Sequence, residues 1–356
     1  MGPCFLRYKR KDIKVHRLRE AGLNGMAKND IETKIARLNE PVCARLDRLF
    51  DGKRKPFEVY GILSEFLSLK GKLLRPALCL SACEAVGGKR GNAAPAAAAI
   101  EMFHNFTLIH DDIEDDSKLR RGVPCMHIKY GLPLALNAGD GLFMMVWQET
   151  QNIPGKNREL AQQRLLSAFT NVLEGQALEL GWYHKNKWDV SVDEYYIVVR
   201  GKTGALIAGA CEVGGIVGGA NAAQRRALYD FGMGIGVGFQ IMDDALNIVG
   251  DEKKYGKEIG GDVSEGKRTL ITIRALRNLK GAKRAQLERI LKKKKKTSKD
   301  VKIAVALLRE SGAVEKAVFD ARKIVGSALE KLNGLPEGEG RRTLLELAEY
   351  IIERKR

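Results

Sequence analysis

No stretch of this sequence is apolar for long enough to cross a bilayer as a helix, so it reads as a soluble chain without a transmembrane segment. A disulfide framework is not expected either. The six cysteines (Cys4, Cys43, Cys79, Cys83, Cys125 and Cys211) are scattered, none forms a CxxC pair, and no secretory signal is visible, which favours a reducing cytoplasm. Cys79 and Cys83, four apart in an apolar stretch, read as small core residues. Strand patterns are nearly absent, and no fixed-period repeat is evident. The glycines at 232, 234, 236 and 238 satisfy GxGxxG in no register and follow no strand, which removes a dinucleotide loop. They read as places where helices approach closely. The opening residues lack a myristoylation signal, because Leu6 stands where Ser or Thr is wanted.

What the chain has is positive charge and apolar content. With 356 residues and 44% hydrophobic content it can bury one sizeable core or two modest ones. Its net charge of +17 raises the possibility of a nucleic-acid binder, which would bind with a steep salt dependence. The excess is concentrated at residues 7–19, 292–296 and 354–356, with no nucleic-acid motif and no interleaved aromatics. A solvated basic surface accounts for it better, with attraction of anionic substrates or loose membrane-surface contact as lesser effects. Residues 1–25 are basic and aperiodic and are expected to be a poorly ordered extension or a misassigned start, leaving 26–356 as the folded domain.

From Asp30 onward the pattern is helical almost throughout. Ile31, Ile35, Leu38, Val42, Leu46 and Leu49 recur every three or four residues, predicting a first amphipathic helix broken or kinked near Pro41. Further helices are predicted at about 57–69, 75–86, 93–116, 134–151, 158–182, 192–213, 222–249, 269–279, 299–309, 313–332 and 341–352. This describes an all-α protein, a large single-domain helical bundle with its site between facing helices.

Two acidic clusters stand out. The first is a block of carboxylates, Asp111, Asp112, Glu114, Asp115 and Asp116, ending in the basic pair Arg120 and Arg121. On one helix, at about 100° per residue, Asp111 and Asp115 share a face, with His104 and Thr107 on the turns before them. Like charges at that spacing repel, and acidic residues at a helix C-terminus oppose the macrodipole, so a cationic partner is called for. Hard oxygen donors suit Mg²⁺, commonly held by one or two carboxylates together with substrate phosphates. A solvated acidic helix end is the alternative for such a block alone. The second cluster is Gln240, Asp243, Asp244 and Asn247, whose i, i+3, i+4, i+7 spacing puts four oxygen-bearing side chains on one stripe of an otherwise apolar helix. Unpaired carboxylates are strongly disfavoured in an interior, so this stripe needs partners. Two such helices face to face would line a cavity able to hold several Mg²⁺ ions and a diphosphate.

In these motifs the chain resembles the trans-isoprenyl diphosphate (polyprenyl) synthases. Asp111-Asp112-Ile113-Glu114-Asp115 with Arg120-Arg121-Gly122 resembles their first aspartate-rich motif, and Phe239-Gln240-Ile241-Met242-Asp243-Asp244-Ala245-Leu246-Asn247 their second. Gly71-Lys72-Leu73-Leu74-Arg75-Pro76, Gly201-Lys202-Thr203-Gly204, Gly256-Lys257-Glu258-Ile259-Gly260-Gly261-Asp262 and Glu265-Gly266-Lys267-Arg268-Thr269-Leu270 look like flanking signatures of the same family. Asn247 stands where a third Asp is usual. It keeps a neutral oxygen ligand, so metal binding should be altered in strength and not abolished, and the substitution looks like archaeal members.

The resemblance implies the isoprenoid synthase fold with a central active-site cavity, a homodimer, and a Mg²⁺-dependent head-to-tail 1′-4 condensation of isopentenyl diphosphate with dimethylallyl, geranyl or farnesyl diphosphate. By the same resemblance Asp111 and Asp115 hold two Mg²⁺ ions and Asp243 a third, with Asp112, Asp244 and Asn247 supporting. Arg120, Lys202, Lys257 and Lys267 would grip the allylic diphosphate, with Thr203 and Gln240 as further contacts. Isopentenyl diphosphate, held without metal, matches Lys72, Arg75, His104 and Arg121; for His104 the alternative is a satisfied core histidine. His110 and His127 read as structural. Family experience makes Phe106 and Thr107 the chain-length residues. The helical wheel alone turns Phe106 about 140° from Asp111. One aromatic there, beside the small Thr107, looks like the archaeal geranylgeranyl type. The competing readings are a farnesyl or longer-chain synthase, a class I terpene cyclase and a non-catalytic synthase-like subunit. The cyclase would need Ser/Thr and Glu after Asp244, where Ala245 and Leu246 stand.

Overall fold

The computed structural model describes residues 28–51, 54–69, 71–250 and 259–352; the expected extension 1–25 and the predicted ligand Lys257 lie outside them. The described chain is all-α apart from one two-stranded hairpin, β1 (Leu119–Arg120) and β2 (Val123–Pro124). Helix α1 (Lys28–Leu49) is continuous through Pro41, so of the predicted break or kink the break does not occur. Ile31, Ile35, Leu38 and Val42 are buried along one side, and this packing carries the helix past the hydrogen bond that proline cannot donate. After α2 (Phe57–Ser68) and α3 (Leu74–Ala85) comes α4 (Ala94–Glu114), the helix of the first acidic cluster. The short α5 (Met126–Tyr130), α6 (Leu132–Thr150) and α7 (Arg158–His184) follow the hairpin.

The predicted helix 192–213 is three pieces: α8 (Val192–Val199), a π-helical turn (Arg200–Gly204) and α9 (Ala205–Gly218). The turn bulges against α7, where Gly175 and Gly201 let the two backbones meet. A Cβ on Gly175 would stand 2.4 Å from the Lys202 backbone nitrogen. Helix α10 (Ala222–Val249) coincides with its predicted span and begins on a capping box made by Asn221 and Gln224. The chain continues through α11 (Gly261–Glu265), α12 (Leu270–Asn278), α13 (Gly281–Leu291), α14 (Ser298–Glu310), α15 (Ala313–Lys331) and α16 (Glu339–Ile352). Of these, α5, α11 and α13 go beyond the sequence prediction, which also misses the hairpin.

The glycine-rich half of α10 is packed on two sides. A Cβ on Gly236 would stand 2.8 Å from Gly204, and one on Gly238 would stand 2.4 Å from Val325 of α15. The close approach read from these glycines is therefore the packing of α10 between its neighbours. Phe103, Leu142 and Phe169 belong to a core shared by α4, α6 and α7, whereas Val198, Ile241, Leu270 and Leu308 belong to one shared by α8, α10, α12 and α14. The π-helical turn reaches the acidic cluster of α4 through Lys202 and the polar stripe of α10 through Thr203. Cys79 and Cys83 are buried free thiols. Among the described residues no helix is long and apolar enough to cross a membrane.

Candidate active site

Small and apolar residues fill the first two turns of α4, and its acidic block comes in the last turn. Asp111 is about one-fifth exposed and lies 3.9 Å from the Lys202 Nζ of the π-helical turn. Burial pushes its carboxyl up to about 6; Lys202 pulls the other way, and Asp115, Glu114 and Glu179 add repulsion. Asp115 ends the helix with its N–H still donating to the Asp111 carbonyl at 2.9 Å, so the two carboxylates share a face as their spacing predicts. Solvent reaches Asp115, yet the cleft walls desolvate its carboxyl enough to raise it against the pull of Lys202 and Lys267. Asp112 points elsewhere. It is buried, and its Oδ1 and Oδ2 accept Arg120 Nε at 3.0 and 3.2 Å.

Arg121 and Gly122 turn the hairpin with φ of 53° and 84°, the left-handed pair that a two-residue connection of type I′ needs. That turn sends the adjacent arginines apart. Arg120 goes to Asp112, while Arg121 donates to the Leu69 carbonyl and lies against Gly71, where a Cβ would stand 2.7 Å from its Nη2.

The π-helical turn joins the two acidic clusters. Lys202 donates to Glu179 of α7 at 2.7 Å and faces Asp111, and its neighbour Thr203 donates to Gln240 of α10 at 3.0 Å. Gln240 in turn donates to Asp244 at 2.8 Å, and the Tyr195 hydroxyl of α8 donates to the other Asp244 oxygen at 2.9 Å. Burial, reinforced by the charge of Asp262, pushes the Asp244 carboxyl well up from its ordinary value. Asn247 accepts the Asp262 N–H at 3.0 Å and so pins the start of α11. Asp262 is also raised by burial, against Lys267, with Glu265 and Asp243 adding repulsion. The Lys267 Nζ lies 3.2 Å from Asp262 and 2.8 Å from Glu265, and its field is felt at Asp115 across the cleft.

The Gly71–Pro76 signature folds as a turn leading into α3. Leu73 is left-handed, with φ of 50°, and Asn39 of α1 donates to its carbonyl at 3.0 Å. Arg75 Nη1 meets His104 Nε2 at 3.2 Å, and Lys72 donates to the Tyr350 hydroxyl of α16 at 3.4 Å. Burial, then the charges of Arg75, Arg121 and Arg120, hold His104 well below the usual imidazole range, so it is neutral at pH 7. Phe106 packs at 5.5 Å from Phe103 and 5.2 Å from Phe143 of α6, while Thr107 donates to the His104 carbonyl.

Several side chains at the site escape the sequence reading. Gln176, Glu179 and Tyr183 lie at i, i+3 and i+7 on α7, a polar stripe that the helical period could have exposed. Glu101, at i, i+3 with His104 on α4, carries the same signal, whereas Tyr195 and Tyr350 carry none, because only the packing of α8 and α16 brings them in. The arrangement suits a hard divalent cation with an anionic ligand: Asp111 and Asp115 converge at a cost in desolvation and repulsion, and lysines line the same cleft.

An all-α bundle whose two acidic clusters are bridged by Lys202 and Thr203 and flanked by Lys267 suits an enzyme that handles a diphosphate. The chain belongs to the polyprenyl synthetase family, whose model matches residues 57–308. It is 37% identical to a geranylgeranyl diphosphate synthase of Methanosarcina mazei over 316 residues, covering 88% of this chain and 95% of that one. It is 36% identical to a geranylfarnesyl diphosphate synthase of Aeropyrum pernix, covering 84% and 95% of the two chains. The crystal structure of a geranylgeranyl pyrophosphate synthetase from Pyrococcus horikoshii is similar with a TM-score of 0.86 at 33% identity, covering 92% of this chain and 99% of that one.

Proposed function

We propose that the protein condenses isopentenyl diphosphate with allylic diphosphates head to tail and releases geranylgeranyl diphosphate. One observation carries the reading: the adjacent residues Lys202 and Thr203 reach the two acidic clusters, one each, so a diphosphate between the clusters would meet both at once. Mg²⁺, three ions when bound, would be held by Asp111, Asp115 and Asp243 and would neutralise the leaving diphosphate. Asp112, Asp244 and Asn247 act behind them, through Arg120, Gln240 and the α11 turn. Lys202 and Lys267, with Lys257 from outside the described residues, supply fixed positive charge where the C1–O bond of the allylic substrate breaks. The isopentenyl double bond attacks the resulting allylic cation through C4, and the proton lost from C2 passes to the released diphosphate. No Ser or Cys nucleophile takes part.

Lys72, Arg75, His104 and Arg121 are assigned to isopentenyl diphosphate. A neutral His104 can accept from Arg75 and leave the guanidinium fork aimed at phosphate. Phe106, backed by Phe143, is assigned as the stop of the growing chain. A cytoplasmic homodimer completes the reading. Leu132, Leu136 and Met144 of α6 and Leu166 and Leu173 of α7 are exposed, and the two helices abut through Trp147 and Phe169. Sedimentation at micromolar concentration checks the dimer.

The test is product analysis with Mg²⁺, isopentenyl diphosphate and, separately, the C5, C10 and C15 allylic diphosphates. A C20 product that disappears with EDTA supports the whole reading. A different length keeps the chemistry and overturns the stop at Phe106, and no product with any primer overturns the function.

A further inference from the structure

Glu101 sits three residues before His104 on α4 and is only 4% exposed, a buried carboxylate that the proposed chemistry leaves unused. Burying a carboxylate is costly unless cations and hydrogen bonds attend it. Its Oε1 accepts Asn105 Nδ2 at 3.0 Å, one turn further along the helix. Burial pushes the carboxyl up, and the charges of Arg75 and Arg121 draw it back. These two guanidinium groups arrive from separate segments. Arg75 comes from the first turn of α3 and rests on His104, whereas Arg121 comes from the left-handed hairpin turn and rests on Leu69 and Gly71. Glu101, Asn105, Arg121 and Gly71, together with Asp47, line one cavity of about 100 Å³.

We infer that Glu101 is a positioning residue for isopentenyl diphosphate: its carboxyl, in the cavity that Arg121 also lines and one turn from the His104 on which Arg75 rests, holds the two guanidinium groups in place before the substrate arrives. Two like charges gathered for an anion repel each other while it is absent, and a fixed anion beneath them removes that cost from the binding step. The inference rests on the assignment of Arg75 and Arg121 to isopentenyl diphosphate.

Glu101→Gln keeps the shape and an acceptor for Asn105 while deleting the charge. It should raise KM for isopentenyl diphosphate about tenfold, the size expected for a lost charged interaction, with KM for the allylic substrate within about twofold. Glu101→Asp retains the charge, and water can fill the adjoining cavity beside the shorter side chain, so it should recover most of the loss. An unchanged KM for isopentenyl diphosphate in Glu101→Gln would overturn the inference, as would equal rises in both KM values or a Glu101→Asp variant no better than Gln. Arg75→Lys in the same assay separates the two layers. If it raises KM for isopentenyl diphosphate while Glu101→Gln does not, the inference alone fails. If Arg75→Lys leaves that KM unchanged, the pocket assignment fails and takes the inference with it. Should Glu101→Gln not fold, Glu101→Ala takes its place, with an unchanged KM for isopentenyl diphosphate again overturning the inference, while Arg75→Lys still tests the pocket assignment on its own.

Discussion

Replacing Asp111 by Asn should stabilise the metal-free protein while it abolishes turnover. The Asp111 carboxyl is pushed from its ordinary 3.8 up to about 6, chiefly by burial. Keeping it ionised at pH 7 therefore costs the metal-free fold about 3 kcal/mol. Because the folded value lies above the unfolded one, the cost is fully present above pH 6 and fades as the pH falls toward 4. That cost is already net of the attraction of Lys202, so Asn, which removes the charge, should gain up to about 3 kcal/mol, or a few degrees in Tm. The assay is urea and thermal denaturation in EDTA at pH 7 and pH 5, with the gain expected to shrink at the lower pH. Mg²⁺ with inorganic diphosphate should then raise the Tm of the wild type more than that of the variant. A variant less stable than wild type at pH 7 in EDTA, or a gain that ignores pH, would refute the argument that this carboxylate is strained until a cation arrives.

Lys202→Met should lower kcat by about 100-fold, since a fixed charge at the leaving diphosphate is lost, and should leave Asp111 and Glu179 repelling each other; steady-state kinetics checks it. Gly175→Ala forces a Cβ to 2.4 Å from the Lys202 nitrogen. It should cost about 1–3 kcal/mol of stability and displace the π-helical turn, so activity measured well below Tm should fall as well. Phe106→Ser should open the space before Phe143 and lengthen the product, and an unchanged chain length in product analysis would remove Phe106 as the stop. The Lys187 ammonium and the Ser191 N–H hold the Glu194 carboxyl down to about 2. The resulting stabilisation is present above about pH 4.5 and lost as the pH falls toward 2, so Glu194→Gln should flatten that acid limb in a Tm titration.

The helices and both acidic clusters were readable because a helical period and a carboxylate block are local properties. Spacing alone put Asp111 and Asp115 on one face and predicted the span of α10. The break at the π-helical turn was not readable, since its cause is Gly175, which lies 26 residues before Gly201 in the chain and contributes nothing to the local pattern there. Pro41 shows the opposite case, a local signal for a break that burial on one side of α1 overrides.

By itself the sequence determined an all-α chain carrying two oxygen-rich helix faces and the basic residues that flank them. Tertiary structure decided which of those oxygens turn inward to other side chains. Asp112 is committed to Arg120 and Asp244 to Tyr195 and Gln240, while Asp111 and Asp115 open into the cleft. It also sent the neighbouring arginines 120 and 121 to different partners and set Glu101 and Arg121 along one cavity. The physical reason is one of range. Periodicity assigns a residue to a helix face, but the partner that neutralises a buried charge comes from a distant segment, and only packing selects it.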